Sequence, residues 1–171
     1  MKLNPVLLCI ETSNEICSVV LACGEEIISI RESDEKNSHA KNLNVFVEEI
    51  FQEAKMDIKE TDAVVVSSGP GSYTGLRIGV SSAKGFCSAL NAPLIAVKTL
   101  DAMLSIFDEN TFRYALIHAR ENEFYCSAIN EDNQKIYDDN IFFSSEIIFP
   151  ADKNYFIAAN DLTISKTKFE G

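Results

Sequence analysis

The chain has no tryptophan, two histidines, four prolines and seven glycines in 171 residues. His39 and His118 stand far apart, neither in metal-type spacing with a carboxylate pair, so a histidine-based metal centre lacks its ligands. Helix capping and surface roles are the expectation for both. Cations are scarce as well: 15 Lys and Arg face 26 Asp and Glu, giving a net charge of −11 and a pI near 4.6. Neutralising phosphate needs clustered Lys and Arg, so this balance argues against a broad nucleic-acid or anionic-membrane surface. A small local basic site stays open. No apolar run approaches the ~18 residues of a membrane span. The start, MKLNPVLLCIE, stops being apolar at Glu11 with no small-residue cleavage site. A cytoplasmic protein without membrane contact is expected.

The five cysteines (9, 17, 23, 87 and 126) are odd in number and include no CxxC, which argues against a disulfide framework. Most lie in apolar runs and read as small hydrophobes. A catalytic thiol would lack a neighbouring histidine. What is present is ordinary for a globular chain: 46% hydrophobic and 24% charged residues. A chain of this length buries roughly 70% of its unfolded surface and folds without staples.

Three strands open the sequence: VLLCIETS from residue 6, ICSVVLAC (16–23) and EEIISIRE (25–32), with a tight connection at Cys23-Gly24-Glu25. From Ser38 to Lys55 the period changes. Leu43, Phe46, Val47, Ile50, Phe51 and Ala54 recur at three- and four-residue steps, one face of a helix with Ser38 or Asn37 as cap. DAVVVSS (62–68) reads as a buried parallel strand, followed by a helix over 74–90, a strand PLIAV (93–97) and a helix near 99–107. This is the order of a ribonuclease-H-like half domain, assigned to residues 1–108. FRYALIHA (112–119), EFYCSAI (123–129), KIYDDNIFF (135–143) and NYFIAAN (154–160) then begin the order again in residues 109–171. The α/β fold expected is therefore two such lobes, the second short or incomplete.

Three glycines fall in a row in SSGPGSYTGLRIGVSSAKGF (67–86), at Gly71, Gly75 and Gly79. Neither GxxxxGK[ST] nor GxGxxG fits there, so a dedicated phosphate cradle is not expected. A helix start still offers free amides to an anion. Gly75 and Gly79 share a helical face with Ser82 and Phe86, while Leu76, Val80, Ala83, Cys87 and Leu90 form the opposite row. That second row is predicted to meet the sheet. Helical glycine costs roughly 0.8–1 kcal/mol against alanine, so close approach of another backbone must offset it. The approaching element is either the chain's own first helix or a partner's. Arg77 and Lys84 lie on one strip beside the small face. Glu11, Thr12 and Ser13 close the first strand, where a magnesium–nucleotide enzyme of this architecture places an acid and hydroxyls.

IETS (10–13), SHAKNL (38–43), the 67–86 stretch, PLIAVKTLDAM (93–103) and HARENEFYCSAI (118–129) occur in that order. Together they resemble the TsaB (YeaZ) family, which serves the threonylcarbamoyladenosine modification of tRNA. The resemblance implies the ASKHA (actin-like ATPase) fold with two ribonuclease-H-like lobes. It implies an accessory subunit that is a paralogue of TsaD and not itself a transferase, acting at adenosine 37 of tRNAs reading ANN codons. It further implies pairing with TsaD through the first two helices, recruitment of TsaE, self-pairing when alone, and tRNA contact only through the complex. The interface residues so implied are Gly75, Arg77, Ile78, Gly79, Ser82, Phe86, His39 and Leu43. Where TsaD carries a metal-binding HxxxH, this chain has Thr99 and Met103, poor replacements for two imidazoles. No catalytic residue, metal or cofactor of its own is expected, with ATP or ADP placed at the seam of the complex. Glu11, Thr12, Ser13, Gly71 and Ser72 are the residues nearest any nucleotide. Two rivals remain: a magnesium-dependent nucleotide enzyme using Glu11 and the 67–75 loop, and a metallopeptidase. Members of the family usually continue further, so the second lobe reads as truncated.

Overall fold

A computed structural model describes residues 3–35, 39–107 and 110–160. The proposed helix caps Asn37 and Ser38 lie outside the described residues. The chain divides into two compact units, Met1–Val97 and Lys98–Gly171.

In the first unit, β1 (Val6–Glu11), β2 (Cys17–Cys23), β3 (Glu26–Ser33), β4 (Ala63–Ser67) and β5 (Leu94–Val97) form one sheet in the order β3-β2-β1-β4-β5. Gly24, at φ +63°, turns the β2–β3 hairpin where the sequence places it. The β1–β2 and β2–β3 pairs are antiparallel, and β1–β4 and β4–β5 parallel. Alternate residues Val6, Leu8 and Ile10 of β1 are buried, as period-two patterning requires, together with Val19, Leu21, Val64 and Val66. Above them lie α1 (His39–Ala54), through Leu43, Val47, Ile50 and Phe51, and α2 (Tyr73–Leu90), through Ala83. Arg31 of β3 fixes α1 to the sheet edge by pairing with Glu49 at 3.0 Å and Glu53 at 2.8 Å.

The second unit opens with α3 (Thr99–Leu104), followed by β6 (Phe112–Arg120), β7 (Glu123–Ile129), β8 (Lys135–Phe143) and β9 (Tyr155–Ala159). Its sheet order is β8-β7-β6-β9, antiparallel in the first two pairs and parallel in the last. That repeats β3-β2-β1-β4 strand for strand, so the duplication read from element order is present. The crossover differs. Between β3 and β4 the chain forms α1, whereas between β8 and β9 it forms only a short 3-10 turn, Ser144–Glu146. Ile147 and Phe149 then cover Tyr114, Leu116 and Phe124 on one face of the sheet. Leu100 and Leu104 of α3 cover Ala115 and Ile117 on the other. Because α3 packs on this sheet, the division falls at Val97/Lys98 and not at the residue 108 expected from sequence. Burial raises the Tyr114 phenol and the Cys126 thiol each to about 12, so both stay neutral across the physiological range.

Asp139 is the electrostatic knot of this unit. Its side chain is 13% exposed and lies 2.6 Å from Lys98 Nζ and 2.7 Å from Lys135 Nζ. Burial pushes its carboxyl up, but the hydrogen bonds from Lys135 and Lys98 outweigh it and hold the group down at about 2. The folded value is below the unfolded one of about 3.9, so the contribution is complete above pH 4 and lost as pH falls towards 2. It amounts to about 2 kcal/mol. Asp139→Asn is therefore expected to melt below the wild type at pH 7, with the gap closing between pH 4 and 2. A gap independent of pH in thermal denaturation would contradict this.

Candidate functional site

The first strand ends at the boundary where β1 pairs antiparallel on one side and parallel on the other, the point at which open α/β sheets expose a crevice. Three segments meet there: Glu11-Thr12-Ser13, the end of β4 at Ser67, and the loop that carries Gly71 and Ser72 into α2. Gly69 of that loop has φ +104°, a conformation closed to most side chains. Ser72 N donates to Ser13 O at 2.6 Å, and Gly75 N donates to Ser72 Oγ at 3.3 Å, capping the helix. Thr12 Oγ donates to Gly75 O at 2.8 Å within the core. The Glu11 carboxylate accepts from Ser13 N through one oxygen and from Ser67 Oγ through the other.

The glycine row is filled by this strand end. A Cβ on Gly71 would fall under 3.0 Å from Ser13 O, one on Gly75 under 3.0 Å from Thr12 O, and one on Gly79 under 3.0 Å from Thr12 Oγ. Gly75, Gly79 and Ala83 are the buried residues of α2. This corrects both expectations for the glycine row, the chain's own first helix and a partner's helix: what lies against it is the strand end at Thr12. The predicted core row is corrected with it. Leu76, Val80, Cys87 and Leu90 are half-buried flanks, with Ala83 alone of that row fully buried. The sheet-facing side centres on Gly79 because glycine lets α2 sit directly on Thr12.

Of the other expected interface residues, His39 and Leu43 are likewise buried within the chain. His39 is 9% exposed, its Nε2 2.9 Å from Asn14 O, so it pins the start of α1 to the loop after β1. Leu43 is a core residue at 1% exposure. Ile78 and Phe86 are half-buried and packed on the core, and Ser82 is half-buried. Arg77 alone of the set is exposed, stacked on Tyr73 with its guanidinium carbon 5.5 Å from the ring centre. His118 ends β6, its Nε2 3.1 Å from Glu121 O. Thr99 is buried at the start of α3, and Met103 packs among Leu100, Leu104 and Ile117.

Sequence reasoning missed Ser67 and Asn14, which answer Glu11 and His39. Gly85, the fourth glycine of the stretch, is absent from the expected interface residues, yet an added Cβ there would meet nothing within 4 Å among the described residues. Gly85 shares an exposed strip with Tyr73, Thr74, Arg77, Ser81, Lys84 and Ser88. The only available signal was that Gly85 stands out of the four-residue step of Gly71, Gly75 and Gly79.

A magnesium–nucleotide group does not fit this strand end. Both Glu11 oxygens are engaged by the chain's own donors, and the glycine positions are filled by its own Thr12 and Ser13. Ser13 Oγ is buried without a hydrogen-bond partner among the described residues, but one hydroxyl is not a ligand set. The second unit has no acid at the matching place. Leu116 pairs with Ala159 as Ile10 pairs with Val66, so Ile117 stands where Glu11 does. What the geometry does chemically is fix α2. Thr12→Val keeps the shape and removes the hydroxyl's hydrogen bond to Gly75 O, with an expected loss of about 1 kcal/mol. The check is a lower urea midpoint at unchanged slope.

Two sheets of one strand order, the first closed over a glycine-bearing helix, place the chain in the actin-like ATPase (ASKHA) fold class. Residues 27–144 match the family model described as "TsaD: tRNA N6-adenosine threonylcarbamoyltransferase". The tRNA threonylcarbamoyladenosine biosynthesis protein TsaB of Buchnera aphidicola (from Acyrthosiphon pisum) is 31% identical over 142 residues, 79% of this chain and 62% of that one. The TsaB of Haemophilus influenzae is 34% identical over 131 residues, 74% of this chain and 54% of that one. A Pseudomonas aeruginosa structure, of an uncharacterized protein with similarity to peptidase YEAZ, aligns with a TM-score of 0.77 at 26% identity. It covers 90% of this chain and 74% of that one. The chain belongs to the TsaB (YeaZ) family. It spans about half to six-tenths of the length of these two curated relatives. Among the described residues no helix is long and apolar enough to cross a membrane.

Proposed function

We propose that this chain is a non-catalytic subunit of the machinery that makes threonylcarbamoyladenosine at position 37 of tRNAs reading ANN codons. It acts by pairing with TsaD and, with it, engaging TsaE, and it meets tRNA only within that assembly. In the absence of TsaD a second copy takes the same face. Any ATP or ADP belongs to the seam of the complex. The names of its relatives support the pathway. The closed Glu11 site and the Thr99 and Met103 side chains support a role without chemistry of its own.

One observation carries the pairing. Gly85 costs α2 roughly 0.8–1 kcal/mol against alanine, and nothing among the described residues occupies the space it leaves. Its strip is small and polar, with Ser81 and Ser88 one turn away on either side. On the neighbouring α1, Val45 is 47% exposed among Lys41, Asn44 and Glu48. The outer faces of the two helices thus suit close contact with other helices. The test is co-purification with the TsaD of the same organism, followed by tRNA modification with TsaE present. A chain that neither binds TsaD nor supports modification overturns the reading.

A further inference from the structure

Charge is unevenly placed in this sequence. The 38 residues from 63 to 100 contain no Asp or Glu and three cations, so all 26 acids lie elsewhere beside only twelve cations. Helix α2 carries two of the three cations of this acid-free stretch. Arg77 and Lys84 stand on its outer strip, seven residues apart and so two turns along one line. Among the described residues Arg77 pairs with Tyr73 alone, at 3.5 Å from Nη1 to the phenol oxygen, and Lys84 has no partner. Other cations of the chain are spent within it: Arg31 on Glu49 and Glu53, Lys98 on Asp139, Arg120 on Glu123 and Lys153 on Glu131.

Resting on the pairing proposed above, we infer that the surface received by α2 is an acidic helix face of the partner protein, read by Arg77 and Lys84. Gly85 sits next to Lys84, so the partner's backbone comes close enough there to bring its carboxylates within reach. The rest of this chain repels an acidic surface. The acid-free strip is then a face on which such a partner settles, and charge sets orientation as well as encounter rate. An RNA strand fits less well. Its charge runs on past a strip with two cations and onto the strongly acidic remainder of the chain, whereas a helix face ends.

The experiment is calorimetric titration of the full chain against the same organism's TsaD in 50 and 500 mM NaCl. Affinity is expected to fall about tenfold over that range, since contact charges of this kind are screened. An R77E/K84E chain should bind about 100-fold more weakly at low salt, with R77Q/K84Q between it and the wild type. K55E, a charge reversal beyond the end of α1, should stay within about twofold. Circular dichroism melting of each variant confirms that the fold is kept. Pairing that ignores both salt and charge reversal overturns the acidic-face inference and leaves the TsaD reading standing. No pairing under any condition sinks both. Unmodified tRNA bound by the chain alone and released by R77E/K84E makes the strip a nucleic-acid site instead, and the inference is wrong.

Discussion

Gly75→Ala is expected to destabilise the first unit by about 3 kcal/mol, even though alanine is the better helix former. The methyl would lie against the Thr12 carbonyl oxygen, and a backbone atom in mid-core has nowhere to retreat. Overpacking of this kind costs typically 1–3 kcal/mol and occasionally more, beyond the propensity gain of about 1 kcal/mol. A domain of ordinary stability loses a large fraction of its margin. Gly79→Ala should cost less, about 2 kcal/mol, because the obstacle is the Thr12 hydroxyl. That hydroxyl turns away at the expense of its bond to Gly75 O. The pair separates cleanly in a double-mutant cycle. Thr12→Ala removes the hydroxyl and should recover much of the Gly79→Ala loss while recovering none of the Gly75→Ala loss. Urea denaturation of the single and double variants reads both. If Gly75→Ala folds with wild-type stability, α2 does not rest on Thr12.

Gly85→Leu is expected to behave in the opposite way. Its side chain enters open space, so the fold should gain up to about 1 kcal/mol from helix propensity. Binding to TsaD should fall about 100-fold or more, because a bulky side chain in the strip holds the two backbones apart. Stability and association thus move in contrary directions at Gly85 and together at Gly75. A single titration and a single melt for each variant show which glycines serve the fold and which serve the partner. A Gly85→Leu chain that pairs normally removes the strip from the interface.

The sequence told the element order, both lobes and most of the core, because period-two and helical patterning are local. The face assignment of α2 was not legible in the same way. Gly75, Gly79, Ser82 and Phe86 could be a smooth outer face or a smooth inner one, since glycine spacing states only that something comes close. What comes close is Thr12, some sixty residues earlier in the chain. His39 misled for the same reason: at a helix start it reads as exposed, and its partner is the Asn14 carbonyl, 25 residues away. The second lobe was expected to be short at its end, whereas the α1 equivalent it lacks belongs between β8 and β9, where a short 3-10 turn and Ile147 take its place. That α3 belongs to the second unit was invisible, because Leu100 and Leu104 fit either sheet until Ala115 and Ile117 are seen beneath them.

The central claim is that this chain acts by being held against TsaD, not by chemistry of its own. The direct measurement is threonylcarbamoyladenosine formed on unmodified tRNA by TsaD and TsaE with a threonylcarbamoyl donor, with this chain present, omitted or replaced by Gly85→Leu. The account predicts product with the wild-type chain, little without it, little with Gly85→Leu, and none from this chain in the absence of TsaD. Full product without the chain, or product from the chain alone, would contradict it.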